Sequence, residues 1–454
     1  MSDRTRRFGA GHTSGICSCG AYHSADDLGF VADPVASNEE QALAKSVENS
    51  LLVGLFPEAS SRRRFLQTLG SGTALAALES FLPVGALKAM AQEKAKPEKE
   101  TITIGFLPLT CATPLIMAEE MGLYAKNGLK ATLAKQTSVT IIRDKLLNGE
   151  LDASEQVMAV PISVTMGIGG SVADPTSVLS VCNVHGNCLV LAMRHKDNQD
   201  PKNWKGFAFG VPFEHSVQAM MLRYYVAEHG LDPDKDIKFR TIPSTEYTSQ
   251  LRAGNLDGFL GGEPHGQLVV YEGGGFIHKL SRDLWTGHPC CTLAARTAWV
   301  QKNPNTFLAL HRAVVAASVH VSKPENRAGI SKILAPANYL NMPEQLIEQV
   351  ISGRYADGLG HVVTVQDRIL FDPFPYYSMA IWLMTQMKRW GYIKGDVDYN
   401  QIAEKVMHAT DVNKRYAELG LPAANPYRKE MILGKEFDPT KPAEYLASFA
   451  VKAN

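Results

Sequence analysis

From residue 101 onward, short apolar runs alternate with stretches whose apolar positions return every three or four residues. The runs predict strands at 102–107, 130–134, 153–157, 176–181, 188–193, 208–211, 237–241, 258–260, 276–279 and 292–295. The periodic stretches predict helices at 113–126, 138–147, 161–166, 216–228, 246–253 and 264–271. Such alternation implies an α/β fold of mostly parallel sheets with helices on both faces. Past residue 304 the pattern is mainly helical, with runs from Pro304 through Ala316 and at 343–351, 376–390, 400–409 and 444–451.

The first unit breaks its strand at Pro108, Leu109, Thr110 and Cys111 and restarts as a helix. Thr113 is the expected N-cap and Pro114 the first helical residue, with Leu115, Ile116, Ala118, Met121 and Leu123 facing a core. Gly122 weakens the last turns and Gly128 marks the exit. The pattern restarts at Trp204, where a strand ends in a Gly/Pro turn and Glu214 and His215 open a helix carrying Gln218, Leu222 and Tyr225. Two such units predict two lobes with a ligand cleft between them: 101–205 plus 296–454 in one, 206–295 in the other. Ligands in open α/β sheets sit beyond the carboxyl ends of strands, so turn residues are the candidates for contact. Thr110 and Thr113 lie at the first such turn, Gln156 near the end of the 153–157 strand, His215 at the second turn and Glu263 after the 258–260 strand. A carboxylate in Glu263's position suits orienting a histidine, binding a metal or capping the next helix.

Composition narrows the partners. The chain has 454 residues, enough for two lobes with their own cores, and 46 basic residues balance 46 acidic ones. That neutrality argues against nucleic acid held by bulk charge. Residues 1–60 are polar and loop-like; then Ser61-Arg62-Arg63-Arg64-Phe65-Leu66, an apolar run from Thr68 to Leu87, and Ala89-Met90-Ala91 follow in the order of an export signal. The paired arginines resemble those read by the twin-arginine (Tat) machinery, which exports folded proteins. The mature chain is expected to start at Gln92, with 93–100 as a charged leader. Cys17 and Cys19 precede that point and five cysteines follow it, at 111, 182, 188, 290 and 291, an odd number that leaves a thiol unpaired in a monomer.

The wording of several segments resembles the periplasmic nitrate- and bicarbonate-binding proteins of ABC transporters. The segments are Pro108-Leu109-Thr110, Ala112-Thr113-Pro114-Leu115-Ile116-Met117-Ala118, Gly122-Leu123-Tyr124-Ala125-Lys126-Asn127-Gly128-Leu129, and the run from Ile141 to Ala153. The resemblance covers residues 100–320 well and the C-terminal part more weakly. It implies a two-lobed periplasmic-binding-protein fold whose helical C-terminal part packs back on the first lobe. It implies an exported receptor that closes on a small oxyanion, delivers it to an ABC permease in the inner membrane, performs no reaction and needs no cofactor. His215 matches a family histidine that faces the ligand. Asn187 stands where related nitrate binders have Gly-Gln, a shorter amide in the same role. Glu263 falls in the family's Gly-Glu-Pro. Two positions depart: Thr137-Ser138 replaces a tryptophan that stacks on the planar ion, and Cys290-Cys291 stands where a charged residue is usual.

The departures keep other readings open: bicarbonate or a small organic ligand, a nitrate-type sensor, or a metal-binding or enzymatic protein using His288 and Cys290 or Cys291. Thiolate and imidazole suit soft and borderline metals. In a regular strand, adjacent cysteines point to opposite sides, so at most one of Cys290 and Cys291 is expected to face the cleft.

Overall fold

The computed structural model describes residues 96–168 and 173–452, together with a two-residue ladder between Gly15–Ile16 and Tyr22–His23. The export-signal reading of Ser61–Ala91 lies outside the described residues. The chain divides into two compact units, 1–94 and 95–454; the second carries everything below.

Its elements begin with β1 (Thr101–Phe106), α1 (Thr113–Glu120), β2 (Lys130–Lys135), α2 (Val139–Leu147), β3 (Ala153–Val157), α3 (Ala159–Met166) and β4 (Thr176–His185). They continue with β5 (Asn187–Ala192), β6 (Ala208–Val211), α4 (Val217–Glu228), β7 (Lys238–Thr241), α5 (Tyr247–Arg252), β8 (Gly258–Gly262), α6 (His265–Tyr271) and β9 (Gly275–Leu280). The chain then returns through β10 (Pro289–Arg296), α7 (Pro304–Ser322), β11 (Ile369–Leu370) and α8 (Tyr377–Arg389).

Two mixed sheets result. The first runs β11-β4-β10-β3-β1-β2 and the second β9-β5-β8-β6-β7. In each, three parallel strands (β3-β1-β2 and β8-β6-β7) meet one antiparallel strand, β10 or β5, beside the third of them. The expectation of mostly parallel sheets therefore holds for the βαβ cores alone. The antiparallel strands are where the chain arrives from the other sheet.

The expected division at residue 205 is corrected by the pairing. β5 pairs with β8 and β9, so the chain crosses between sheets at Gly186, and β10 pairs with β3 and β4, so it has crossed back before Pro289. Residues 187–205 belong with the second sheet. The turn at the crossing needs left-handed backbone at both His185 (φ 62°) and Gly186 (φ 74°). A Cβ on Gly186 would lie 2.6 Å from Asn183 Nδ2 and 2.9 Å from Ile369 Cδ1, which explains glycine there. The two crossings are tied together: the His185 N–H donates to the His288 carbonyl (3.0 Å) and the Gly287 N–H to His185 Nε2 (2.6 Å). That second bond places the ring proton on Nδ1, which donates to the Asp367 carbonyl (2.7 Å).

The expected helix over 113–126 is two, Thr113–Glu120 and Leu123–Lys126, parted at Gly122 (φ 65°). Thr113 is helical rather than the cap, because a 3-10 turn at Thr110–Ala112 runs straight into α1 and the Thr113 hydroxyl donates to the Thr110 carbonyl (2.7 Å). The C-terminal helices also depart from expectation. α7 lies against the first sheet, where His311 bonds to the Leu179 carbonyl, but α8 packs on the second lobe's α4, with the rings of Trp382 and Tyr224 5.8 Å apart. The C-terminal part spans both lobes instead of covering one.

Candidate functional site

The βα turns of the two sheets face each other. On one side is the turn after β1 and the start of α2; on the other are the turns after β6 and β7 and the start of α6. Between them lies a narrow cleft lined by Leu107, Pro108, Thr137, Ser138, Pro212, Ser244, Thr245 and His265. Ser138 is the N-cap of α2 and accepts from the Ile141 N–H (3.2 Å), so the helix presents its amino end to this opening. His265 is buried, its Nε2 has no hydrogen-bond partner, and burial pushes its pKa down to about 4, so the ring is neutral. A neutral imidazole donates or accepts according to its tautomer. Sequence reasoning missed His265, although it stands two residues after Glu263, in the first turn of the helix expected over 264–271.

Behind this rim the candidates from sequence are brought together, but mostly with one another. The Thr110 N–H and hydroxyl both donate to the Glu263 carbonyl, at 2.8 and 3.1 Å, joining the first sheet's turn to the second sheet. The Glu263 carboxylate forms a buried ion pair with Arg368 and accepts from the Gln267 N–H (3.1 Å). It is a structural partner and not a free ligand group. Gln156 is buried on β3 with its amide donating to Ser154 Oγ (2.8 Å). Asn187 accepts from Gln218 Nε2 (3.0 Å) and from the Cys290 thiol (3.4 Å). His215 is set apart from this group. Its ring meets the edge of Tyr392 at 4.5 Å and Phe213 at 5.7 Å, and burial lowers its pKa. The C-terminal segment supplies one neighbour, Tyr392, of the ring that the family resemblance assigned to ligand.

The cysteines gather differently from expectation. Cys290 Sγ lies 3.2 Å from Cys111 Sγ and 3.7 Å from Cys291 Sγ. β10 is irregular here, its register with β4 shifting on both sides of Cys291, which breaks the alternation that would have separated the neighbours. Hydrogen bonds from Cys111 and Cys291 hold the Cys290 thiol well below its ordinary range, while those neighbours are pushed up. Glu155, buried beside Cys291, is raised to about 8 by burial, its Oε2 accepting from the Leu107 N–H (2.8 Å). His288 is not part of the group; it bonds to the Pro289 carbonyl and burial lowers its pKa to about 3.

A second depression lies at the outer edge of the second sheet, around Arg223, Asp234 and Phe239. Arg223 is paired there with Asp234 (2.5 Å) and stacked on Phe239. The Arg223 and Asp234 charges are matched to each other, and the depression reaches Val211 and Thr241, the last residues of β6 and β7, on the side of the sheet where α4 lies.

Known proteins give this geometry a context. Residues 95–335 match the NMT1-like family. The nitrate/nitrite binding protein NrtA of Nostoc sp. PCC 7120 is 29% identical over 440 residues, 86% of this chain and 99% of that protein. The nitrate import ATP-binding protein NrtC of Synechocystis sp. PCC 6803 is 29% identical over 375 residues; the match takes in 78% of this chain and 56% of the longer relative. The crystal structure of the periplasmic nitrate-binding protein NrtA from Synechocystis PCC 6803 matches with a TM-score of 0.76 at 28% identity, covering 79% of this chain and 100% of that one. The architecture is that of the periplasmic-binding-protein fold.

Proposed function

We propose that this chain, which belongs to the NMT1-like family, is the solute-binding component of an ABC importer. Its two sheets close on a small oxyanion, nitrate or a close analogue, and release it unchanged to a permease. One observation carries the reading: two βαβ cores of the same strand order turn their carboxyl ends toward each other across paired chain crossings at Gly186 and Gly287. Likeness to a nitrate-binding protein over that protein's whole length supports it. The anion meets the amino end of α2 at Ser138 on one wall and the His265 ring, with Ser244 and Thr245, on the other. Closure is a hinge motion about His185-Gly186 and the return crossing. With no cationic side chain among the cleft-lining residues, dipoles and hydrogen-bond donors supply the compensation that a buried anion requires. Thr110, Asn187 and Glu263 act as the contacts that hold the closed form. The basic, apolar and small-residue order from Ser61 to Ala91 supports periplasmic delivery by the twin-arginine route.

Calorimetry of the full chain with nitrate, nitrite, bicarbonate with and without calcium, and taurine tests this. One inorganic anion binding with a stoichiometry of one is the expected result. Heat with taurine alone, or with none of them, overturns it.

A further inference from the structure

We propose that Cys111, Cys290 and Cys291 form a binding site for a thiophilic d10 metal ion at the base of the cleft. This goes beyond the oxyanion reading and stands on different residues. The three thiols come from the turn after β1 and from β10, and their sulfurs all lie within 4.8 Å of one another. A metal–sulfur bond of about 2.3 Å puts the sulfurs of a trigonal site about 4 Å apart, so the group is already near coordinating geometry. Cys111, Cys290 and Cys291 are 0%, 0% and 1% exposed. Cysteines buried merely as small hydrophobes are surrounded by carbon. These are not: Asn187 Oδ1 is 3.4 Å and Gln218 Nε2 3.8 Å from Cys290 Sγ.

Two buried oxygens nearby, Glu155 Oε1 and Gln218 Oε1, also lack a hydrogen-bond partner. Buried polar atoms are normally satisfied, so unpartnered ones beside the thiols mark surroundings suited to a polar or charged guest. The bulge at Cys291 has the same consequence, since it turns two neighbouring thiols to one side of a strand where regular pleating would separate them. As each metal–sulfur bond forms, the thiol proton leaves to solvent. Copper(I) is served by the three sulfurs alone, whereas zinc needs a fourth ligand besides them. Because Asn187 and Gln218 come from the second sheet and its helix, the ion enters before the sheets close over it.

The test uses the full chain, purified with reductant, stripped by chelator and titrated with zinc or with buffered copper(I) against a colorimetric competitor. One ion per chain is expected. Cys111→Ser and Cys290→Ser each lose about 100-fold or more in affinity, beyond the 10–100-fold typical of an outer partner. Cys188→Ser, a buried thiol outside the group, keeps wild-type affinity. Should the serine variants not fold, X-ray absorption of the loaded wild type reads metal–sulfur scattering directly. No bound ion, an ion retained by both serine variants, or an ion without sulfur neighbours overturns the proposal, as does a Cys111–Cys290 disulfide in protein that binds no metal after reduction. Nitrate titration of the stripped chain separates the two readings: nitrate bound without metal leaves only this one to fail.

Discussion

The rim and the base of the inter-sheet cleft are made of the same kind of part, the turn that follows a parallel strand, yet they spend their polar groups differently. At the base, Thr110 bonds Glu263, Glu263 pairs with Arg368, and Asn187 bonds Gln218 and Cys290. At the rim, Ser138 caps a helix whose amino end opens on the cleft, and His265 keeps Nε2 free. Groups satisfied by protein cannot also recognise a ligand without first letting go. The base therefore sets how firmly the sheets hold together, and the rim sets what they hold. The difference teaches that polar side chains at strand ends are not equivalent candidates for binding; their existing partners decide.

The comparison breaks most visibly at Arg368. Arg368→Ala leaves the Glu263 carboxylate buried without its partner, a change that costs about 3–5 kcal/mol in comparable pairs. Urea unfolding followed by far-ultraviolet circular dichroism reads it, and a loss below about 1 kcal/mol would mean that the pair is solvated.

Next in size is the response to acid. Burial pushes His265 down to about 4, His278 to about 4 and His311 to about 3. Unfolded histidines take up protons near pH 6.5, so between 6.5 and 4 the unfolded chain binds more protons than the folded one. Stability therefore falls as the pH is lowered through that window, at up to about 1.4 kcal/mol per pH unit for each buried ring. Asp411 adds nothing there. Against the upward push of burial, His408 and Lys414 hold its carboxyl well below the usual range, so its contribution is lost only at lower pH. A urea midpoint that stays flat between pH 6.5 and 4 would contradict the buried neutral histidines.

Gly186→Ala tests the crossing. A left-handed φ and a Cβ meeting Asn183 and Ile369 predict a loss of about 1–3 kcal/mol, with nitrate affinity falling as the hinge is distorted. The smallest stability effects lie at the rim and sharpen the contrast. Ser138→Ala costs about 1 kcal/mol as a lost cap and weakens anion binding. Ser138→Asp keeps the cap, and so the stability, but sets a negative charge against the anion and abolishes its binding. Retained nitrate affinity in Ser138→Asp would move the anion away from the rim.

Most of the fold was legible because strand periodicity and turn residues are local signals. The strands at 153–157 and 208–211 were read to the residue, and Ser138 and Ser216 fall one residue before their helices, both as caps. The lobe boundary was not legible. It depends on which sheet β5 joins, and its apolar run, Cys188 to Ala192, suits either. The site divides in the same way. Residue types at strand ends were readable, but their partners were not, since Arg368 lies 105 residues from Glu263 and Cys111 lies 179 from Cys290. The family resemblance points His215 toward ligand, and Tyr392, from the distant C-terminal segment, packs against its ring. The paired facing of Cys290 and Cys291 arises from a bulge that no local spacing announces.

In the proposed function the chain closes on a small oxyanion between Ser138 and His265. A crystal structure of the full chain grown with nitrate tests it most directly. Planar density is expected in the cleft, touching the amino end of α2 and the His265 ring, with the Thr110–Glu263 contact kept. Density for the anion elsewhere, or an empty cleft at saturating nitrate, would contradict it.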